Sequence, residues 1–571
     1  MYIKTYNTIA SIIQNATERD DAFLTDGGDH ADLASTIAFV IAKEEKRNPA
    51  QVASEILEKI KLPIETEVDC HVTTRGPYIN FVFGQTYCAR VVEQAQVAGY
   101  GTGVLFSADP NLSKDADQIS ICLEHTSANP NGPLHVGHIR NTILGDTLAR
   151  CFRKAGYPVE VQYYVNDMGR QIAIVSWGIE WQKQDITAPK KGDHLVADIY
   201  IQANRDLEAD PSHTAEIEKR MQKVEAGDPA TLREFRTPVM RCLNGFKETL
   251  ARLDVKHDRF IFESDFIKNG DTEKLLAKIA RLPIAESDGA LSLDLSEYGF
   301  EKKYFLRRSD GTSVYAARDL AYHRWKIHNF SRVIDVLGAD HKLIGKQLQA
   351  TLQILGENPP EILFFEFVSL PEGSMSTRRG TFISADELLD EVFLRAKSEV
   401  MKRRPELSES EQEAVARSVS IAAIRYDIVK TIPEKSTVFN WKEALDFEKQ
   451  SGPYIQYAHA RACSMLDKAK EAGWANAPVD LVYASSYEMS LIKHIAKFPS
   501  VILQVVSDSR PHLLAIYARE LADIFNSFYH AEPVLKSEGV TQASRLALVA
   551  ATQNTLKEAL ETLGIDPLSS M

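Results

Sequence analysis

The order strand, helix, strand in the first third of the chain constrains the fold more than any other feature. ISICLEHTS at 119–127 predicts a buried strand, and apolar side chains at helical spacing predict a helix from Val136 to Lys154. VEVQYYVND at 159–167 predicts a second strand. Two strands joined through a helix lie parallel in one sheet. The sequence therefore predicts an α/β domain built on a parallel sheet.

Length and composition predict a soluble protein of several domains. The chain has 571 residues, and at about 150 residues per domain this suggests three or four. A hydrophobic fraction of 44% and a charged fraction of 25% are typical of soluble proteins. The first residues show no basic segment followed by an apolar one, and apolar runs such as 37–42 fall short of the ~20 residues of a membrane span. We expect a cytoplasmic protein without membrane contact.

The cysteine pattern also favours a cytoplasmic protein. None of the six forms a CxxC pair, so neither a zinc knuckle nor a disulfide framework is predicted. We expect reduced thiols in the cytosol and no protein-bound structural metal.

Three regions differ in pattern. Residues 1–110 predict a small α/β module, and 111–385 predict the parallel-sheet domain with a polar insertion near 180–300. Residues 386–571 read as successive amphipathic helices, and no strand is predicted after Asp386.

One N-terminal helix is predicted from a hydrophobic stripe. Leu33, Ile37, Val40 and Ile41 recur at helical spacing, and Asn48-Pro49 ends the pattern.

His135-Val136-Gly137-His138 stands where the first strand of the parallel sheet passes into its helix. Helix N-termini favour bound anions, because free N–H groups and the helix dipole point at the ligand. The two histidines are three residues apart and face one way, and Gly137 permits close approach of a base or phosphate. This pattern indicates a nucleotide site. Two surface histidines at a helix start are at least an equal interpretation of the motif when it stands alone.

The context of this motif carries a family resemblance. SANPNGPLHVGHIRN resembles the HIGH signature of class I aminoacyl-tRNA synthetases, and GSMSTRRGTF at 373–382 resembles their KMSKS loop. The resemblance implies a Rossmann-type catalytic domain that uses ATP and Mg²⁺, with His135 and His138 in catalysis. The residues implied in ATP binding are Pro133, His135, Gly137, His138, Asn141, Met375 and Ser376.

Over the whole chain the details resemble arginyl-tRNA synthetases. YVNDMGRQI, SDGTSVYAARDLAYHRWK, IRYDIVKTIPEKSTVFNW and GPYIQYAHARACSML are similar to internal motifs of that family. The resemblance implies an arginine–tRNA ligase with L-arginine, ATP and tRNA(Arg) as partners, acting as a monomer. It also implies an N-terminal tRNA-recognition module and a C-terminal anticodon-binding bundle.

An arginine substrate makes a specific chemical demand. Its guanidinium is planar and always charged, and carboxylates recognise it in fork-to-fork geometry. Glu124 ends the strand before the HxGH turn, and Tyr315 and Asp319 would share one helical face. The resemblance maps arginine binding onto Glu124, Asn129, Tyr315 and Asp319, with His341 as a further candidate. Taken singly, each is also consistent with a structural polar residue.

The second signature departs from its family. Ser374 and Thr377 stand where KMSKS has lysines, and Gly132 stands where many members carry a lysine before HxGH. Arg378 and Arg379 are the nearest cations to replace that charge at pyrophosphate, and a solvated loop pair is an equal interpretation.

RNA binding by this chain must be local, because its formal charge is −13. In the helical region aromatic residues stand beside cations, which suits unstacked bases. Core packing is the alternative for Tyr454 and Tyr457. The candidate tRNA contacts are Tyr454, Tyr457, His459 and Arg461, with further cations at Lys402, Arg403, Arg404, Arg425, Lys430 and Lys435.

Two other functions stay open at this point. The missing lysines are consistent with a non-catalytic tRNA-binding relative. A small-molecule nucleotidyltransferase of the HxGH superfamily would need no long helical C-terminal region.

Overall fold

The computed structural model describes residues 2–28, 30–105, 119–369, 383–473 and 481–571, apart from the side chain of Asp288. Within these ranges the chain forms a central parallel sheet flanked by an N-terminal α/β module and a C-terminal helical bundle. This architecture confirms the predicted fold class.

The N-terminal module packs helices on an antiparallel sheet with the strand order β1-β2-β4-β3. Its helix α3 continues through Pro63 to Glu67. The bounds are α1 Tyr2–Thr17, β1 Leu24–Asp26, β2 Leu33–Ser35, α2 Ile37–Glu45, α3 Pro49–Glu67, β3 Cys70–Arg75, β4 Tyr78–Phe83 and α4 Gln85–Ala95.

The helical stripe predicted from Leu33 is wrong at its first residue. Leu33 lies in β2, where it pairs with Phe81, and the helix begins at Ile37. A buried three-residue strand directly before a helix mimics one longer helical stripe, because both place apolar side chains toward the same core.

In the described part of the chain, five parallel strands form the central sheet in the order β12-β11-β5-β6-β7. The chain runs outward from β5 through β6 to β7 and later returns to the other side of β5 with β11. This reversal of strand order makes a topological switch point between β5 and β11. The bounds are β5 Ile121–Glu124, α5 Val136–Ala155, β6 Val159–Val165, β7 Arg259–Phe262, β11 Arg332–Gly338 and β12 Glu361–Phe365.

Helices and a small antiparallel sheet, β10-β9-β8, fill the region between β6 and β11. The bounds are α6 Arg170–Trp181, α7 Gly192–Ala209, α8 Thr214–Glu225, α9 Pro229–Arg252, α10 Glu263–Lys268, α11 Asp271–Ile279, β8 Ala285–Asp288, β9 Ala290–Leu293, β10 Tyr304–Arg307, α12 Tyr315–Asn329 and α13 Lys342–Ile354.

The C-terminal region is helical, with one correction. A two-residue strand, β14, follows Asp386 and pairs in parallel with β13. Two residues are too few to show an alternating pattern, so the sequence could not reveal them. The bounds are β13 Val368–Ser369, α14 Ala385–Arg403, α15 Glu409–Val429, β14 Thr437–Val438, α16 Trp441–Ala444, α17 Gly452–Glu471, α18 Ser486–Asp508, α19 His512–Ala531 and α20 Gly539–Thr562.

Helix α18 is long and apolar enough, by length and composition, to cross a membrane. Half of its most apolar window is buried inside the protein, and core helices of soluble proteins pass the same test. It also forms ion pairs with the N-terminal module: Lys493 Nζ lies 2.7 Å from Asp32 Oδ1, and Lys497 pairs with Asp26. These contacts make α18 the helix on which the N-terminal module rests.

A buried guanidinium joins the sheet domain to the bundle. Arg425 of α15 is fully buried, and its Nη2 donates to Asp146 of α5 at 2.5 Å. Its other nitrogens donate to the carbonyl oxygens of Leu253 and Leu563, at 2.9 and 2.7 Å. The sequence offers Arg425 as a candidate RNA contact, and its burial contradicts that role.

We predict that Arg425→Met lowers the free energy of unfolding by about 3–5 kcal/mol, because it leaves the buried Asp146 carboxylate with one cation fewer. Urea unfolding followed by circular dichroism measures this loss. Arg19→Met, which removes the exposed pair with Glu44, is the matched control and leaves the midpoint nearly unchanged. Equal midpoints for both variants would contradict a buried structural pair.

Candidate active site

Several of the predicted site residues in the described ranges lie at the carboxyl edge of the central sheet. Glu124 ends β5, and His341 follows β11 in a short 3-10 turn. The HxGH helix α5 begins beside the switch point between these two strands. Ligands of open α/β sheets bind at this edge, in the crevice outside the switch point.

His135 and His138 form a reciprocal cap at the start of α5. His135 Nδ1 accepts from the Gly137 backbone N–H at 3.1 Å, and His138 Nδ1 accepts from the His135 N–H at 3.2 Å. The two rings stack with centroids 3.6 Å apart. Because each Nδ1 accepts a hydrogen bond, the proton of each neutral ring is assigned to Nε2.

Both imidazoles are held neutral. Burial lowers the pKa of His135, while burial and the neighbouring His135 lower the pKa of His138 to about 3. The site therefore offers two stacked Nε2–H donors beside the positive end of the α5 dipole. Such donors can stabilise charge that develops on a phosphate.

The side-chain amide of Asn141 makes two hydrogen bonds to the main chain. Its Oδ1 accepts from the Thr126 backbone N–H at 2.8 Å, and its Nδ2 donates to the Val336 carbonyl oxygen at 3.0 Å. Thr126 and Ser127 have φ of 71° and 37°, the left-handed region that side chains rarely adopt. The amide of Asn141 thus ties the strained turn that follows β5 to strand β11. This use of both amide groups disfavours its predicted contact with ATP.

Glu124 is buried and already engaged on both oxygens. Its Oε2 lies 2.8 Å from Lys326 Nζ, and its Oε1 accepts from Ser127 Oγ at 2.9 Å. Each carboxylate oxygen has two acceptor positions, so Glu124 keeps capacity for a guanidinium.

Tyr315 and Asp319 lie one turn apart on α12, as predicted. Burial, then the charges of Asp319, Glu263, Glu124 and Asp340, raise the pKa of Tyr315. The phenol therefore stands within the field of several carboxylates at this edge of the sheet, where a cation would be stabilised.

Sequence reasoning missed Glu263 at the start of α10. It is fully buried and pairs with Arg318, and its Oε2 has no hydrogen-bond partner among the described residues. Burial raises the pKa of Glu263 to about 7, against the opposing charge of Arg318. Asp167 holds this segment in place, since its carboxylate accepts from both the backbone N–H and the hydroxyl of Ser264. A lone glutamate after the apolar strand RFIF was its signal in the sequence.

The remaining predicted site residues differ in exposure, and some lie outside the described residues. Asn129 and His341 are exposed, Pro133 is half-buried and Gly137 is buried. Arg378, Arg379, Met375 and Ser376 lie outside the described residues.

In the bundle, the four predicted tRNA residues separate into two pairs. Tyr454 and His459 are buried: the Tyr454 hydroxyl bonds Asp523 at 2.7 Å, and His459 Nδ1 lies 2.9 Å from the Leu568 carbonyl oxygen. Their burial favours packing roles, which for Tyr454 is the alternative left open by the sequence and for His459 disfavours the predicted RNA contact. Arg461 instead lies between two partly exposed tyrosines, 4.8 Å from the ring of Tyr457 and 4.6 Å from that of Tyr529.

Comparison with known proteins identifies the class. Residues 103–441 match the family model described as tRNA synthetases class I (R), catalytic domain. Residues 455–571 match the DALR anticodon binding domain, and 6–83 match the arginyl tRNA synthetase N terminal domain. The fold and the HxGH cap are thus those of a class I aminoacyl-tRNA synthetase.

Individual relatives identify the family. The chain is 65% identical over 577 residues to the arginine–tRNA ligase of Methanospirillum hungatei JF-1, and 58% identical to that of Methanosphaerula palustris, each over 100% of both chains. The arginyl-tRNA synthetase structure of Thermus thermophilus superposes with a TM-score of 0.84 at 28% identity, over 99% of each chain. The chain belongs to the arginyl-tRNA synthetase family.

The capping geometry predicts how His138 titrates. Its ¹⁵N resonances will report a neutral ring protonated on Nε2 from about pH 8 down to about pH 5, because burial depresses its pKa and it gains a proton only well below the usual value of about 6.5. Imidazole NMR on labelled protein, assigned with His138→Asn, measures this. A titration midpoint near pH 6.5 would contradict the buried cap.

Proposed function

We propose that this chain activates L-arginine with ATP at the carboxyl edge of its central sheet and transfers the arginyl group to tRNA(Arg). The relatives named arginine–tRNA ligase, matched over the full chain, support this reaction. The arginine carboxylate attacks the α-phosphorus of ATP, the bond to the β-phosphate oxygen breaks, and pyrophosphate leaves. A ribose hydroxyl of the terminal adenosine then attacks the acyl carbon and releases AMP. No covalent intermediate with the enzyme is needed, so positioning and electrostatics carry the catalysis.

At the ATP end, the Nε2–H groups of His135 and His138 donate to the phosphates. Their neutral, stacked arrangement at the N-terminus of α5 supports this role. Pro133 and Gly137 adjoin the same turn, and we assign them to the nucleotide pocket. Arg378 and Arg379 remain our candidates for the pyrophosphate charge, on sequence grounds.

The phosphates of ATP would hold Mg²⁺ at this site, and the ion would supply positive charge to them. The described residues include two groups of three metal-type ligands, and each already holds a lysine ammonium: Lys326 between Glu124 and Asp335, and Lys191 between Asp193 and Asp386. A divalent ion would have to displace the fully buried Lys326 ammonium from one group and the partly exposed Lys191 ammonium from the other. The phosphates of ATP are the better ligands, since Mg²⁺ prefers substrate oxygens and water.

At the arginine end, Asp319 and Glu124 supply negative charge near Tyr315. We assign Glu124, Asp319 and Tyr315 to substrate binding. Asn129 and His341 stay candidates at the exposed rim.

At the tRNA end, Tyr457, Arg461 and Tyr529 present two rings and a cation on the bundle surface. Rings with a cation between them provide stacking faces for unpaired bases, and stacking tolerates a protein of net negative charge. We propose this platform as a contact for the anticodon.

The three sequence regions take separate parts of the task. We propose tRNA recognition for residues 1–110, aminoacylation for 111–385 and anticodon binding for 386–571. We expect the enzyme to act as a monomer in the cytoplasm, without membrane contact.

Removing the His138 donor tests the ATP end. His138→Ala lowers kcat by about 10²–10³, the usual effect of losing one preorganised donor, and changes the ATP KM much less. Steady-state aminoacylation measures both constants, with thermal melting as a check on folding. His71→Ala in the N-terminal module, whose side chain is 64% exposed, is the control. A kcat within about twofold of the unmodified enzyme rules out the assignment.

Removing the Asp319 charge tests the arginine end. Asp319→Asn keeps the size of the side chain and raises the arginine KM by about tenfold or more, because a hydrogen bond to a charged group is lost. The ATP KM stays nearly constant. Citrulline is neutral and nearly isosteric with arginine, and it competes poorly with the unmodified enzyme. If citrulline competes as well as arginine does, charge is not the basis of selection.

A further inference from the structure

Five ionisable side chains form one continuous chain behind the proposed arginine site. Glu124 Oε2 lies 2.8 Å from Lys326 Nζ, and Lys326 Nζ lies 2.5 Å from Asp335 Oδ1. Asp335 Oδ2 lies 2.9 Å from His323 Nε2, and His323 Nδ1 lies 3.1 Å from Asp319 Oδ1. Acid and base alternate along this charge chain, and its two ends are the carboxylates assigned to arginine.

The fold aligns these groups by simple geometry. Asp319, His323 and Lys326 lie at positions i, i+4 and i+7 of α12, so they share one face of the helix. This face lies against Asp335 in β11, whose parallel neighbour β5 ends at Glu124. Two elements from separate parts of the sequence thus meet across the switch point.

Both bases carry charge despite full burial. Burial and the neighbouring Lys326 would lower the pKa of His323, but Asp319 and Asp335 outweigh them and raise it to about 10. Burial likewise opposes the charge of Lys326, and Asp335 and Glu124 raise its pKa above the ordinary value. Burial would raise the pKa of Asp335, yet Lys326 and His323 lower it to about 2.

The charge chain carries a small surplus of negative charge. Three carboxylates face two cations, which gives a net charge of −1 with every group ionised. One guanidinium would neutralise this surplus. Without the two bases, the same carboxylates would form a cluster of like charges, which proteins relieve by protonation or by binding an ion.

We propose that Lys326 and His323 are positioning residues for arginine recognition: they orient Glu124 and Asp319 and limit the surplus charge at the site to that of one guanidinium. The inference rests on the proposed arginine site. Neither base has to contact the substrate, since each acts through the carboxylate beside it.

Single neutral variants test the proposal through the arginine KM. Lys326→Met and His323→Gln each raise the arginine KM by about tenfold or more and leave the ATP KM nearly unchanged, since the altered carboxylates no longer match the guanidinium. Lys154→Met is the matched control, because Lys154 pairs with Glu558 in a similarly covered ion pair at the far end of α5. It leaves the arginine KM unchanged. An unchanged arginine KM in Lys326→Met and His323→Gln overturns the proposal.

A charge-balanced double variant separates recognition from folding. Lys326→Met combined with Asp335→Asn removes one base and one acid, so the surplus returns to that of the native enzyme. We expect an arginine KM closer to the native value than that of Lys326→Met. If Lys326→Met does not fold, His323→Gln serves as the test. An arginine KM raised alongside an equally raised ATP KM would point to general damage and overturn the proposal.

The proposed arginine site can be tested independently of the charge-chain proposal. If Asp319→Asn and Glu124→Gln leave the arginine KM unchanged, the proposed arginine site is wrong whatever Lys326→Met does. If those two variants raise it while Lys326→Met and His323→Gln do not, the site stands and the charge-chain proposal fails.

Discussion

Helix α5 is buried along most of its length, so the charged side chains that it carries need partners inside the protein. Arg140 shows the constraint most clearly. Its guanidinium is fully buried and donates to main-chain carbonyl oxygens, among them those of Glu366 at 2.6 Å and Lys435 at 2.8 Å. Burial lowers the pKa of Arg140 to about 10. The helix that begins with HxGH is thereby tied to both segments that pair as β13 and β14.

The same constraint ties α5 to the rest of the molecule further along. Asn141 fastens the strained turn after β5, and Asp146 receives Arg425 from the bundle. Position 145 requires glycine, because a Cβ there would clash with the side chain of His125, which directly precedes that turn. The proposed ATP donors therefore sit at the end of a helix whose position is fixed by contacts with the sheet and the bundle.

The sequence predicted the parts of this structure that local patterns encode. The strands β5 and β6 and the helix α5 have strong apolar patterns, and the HxGH motif located the helix start. The position of Leu33 and the existence of β14 depend on pairing with distant strands, which no local period shows. Candidate residues were harder to judge, since Tyr454 and Tyr457 look alike in sequence and differ only in which way the helix faces.

The charge chain is not predicted from the sequence, although one residue of it, Asp335, indicates that a buried cation is present. Its carboxylate interrupts the apolar strand RVIDV, and a buried strand accepts an acid only when a cation reaches it. Such an acid therefore predicts a buried base somewhere in the fold, although not which one. Lys326 and His323 supply this positive charge from helix α12, which precedes the strand in the sequence. Lys326 also contacts Glu124, and His323 also contacts Asp319. A structural requirement of the sheet and the charge of the proposed arginine site are thus met by the same two side chains.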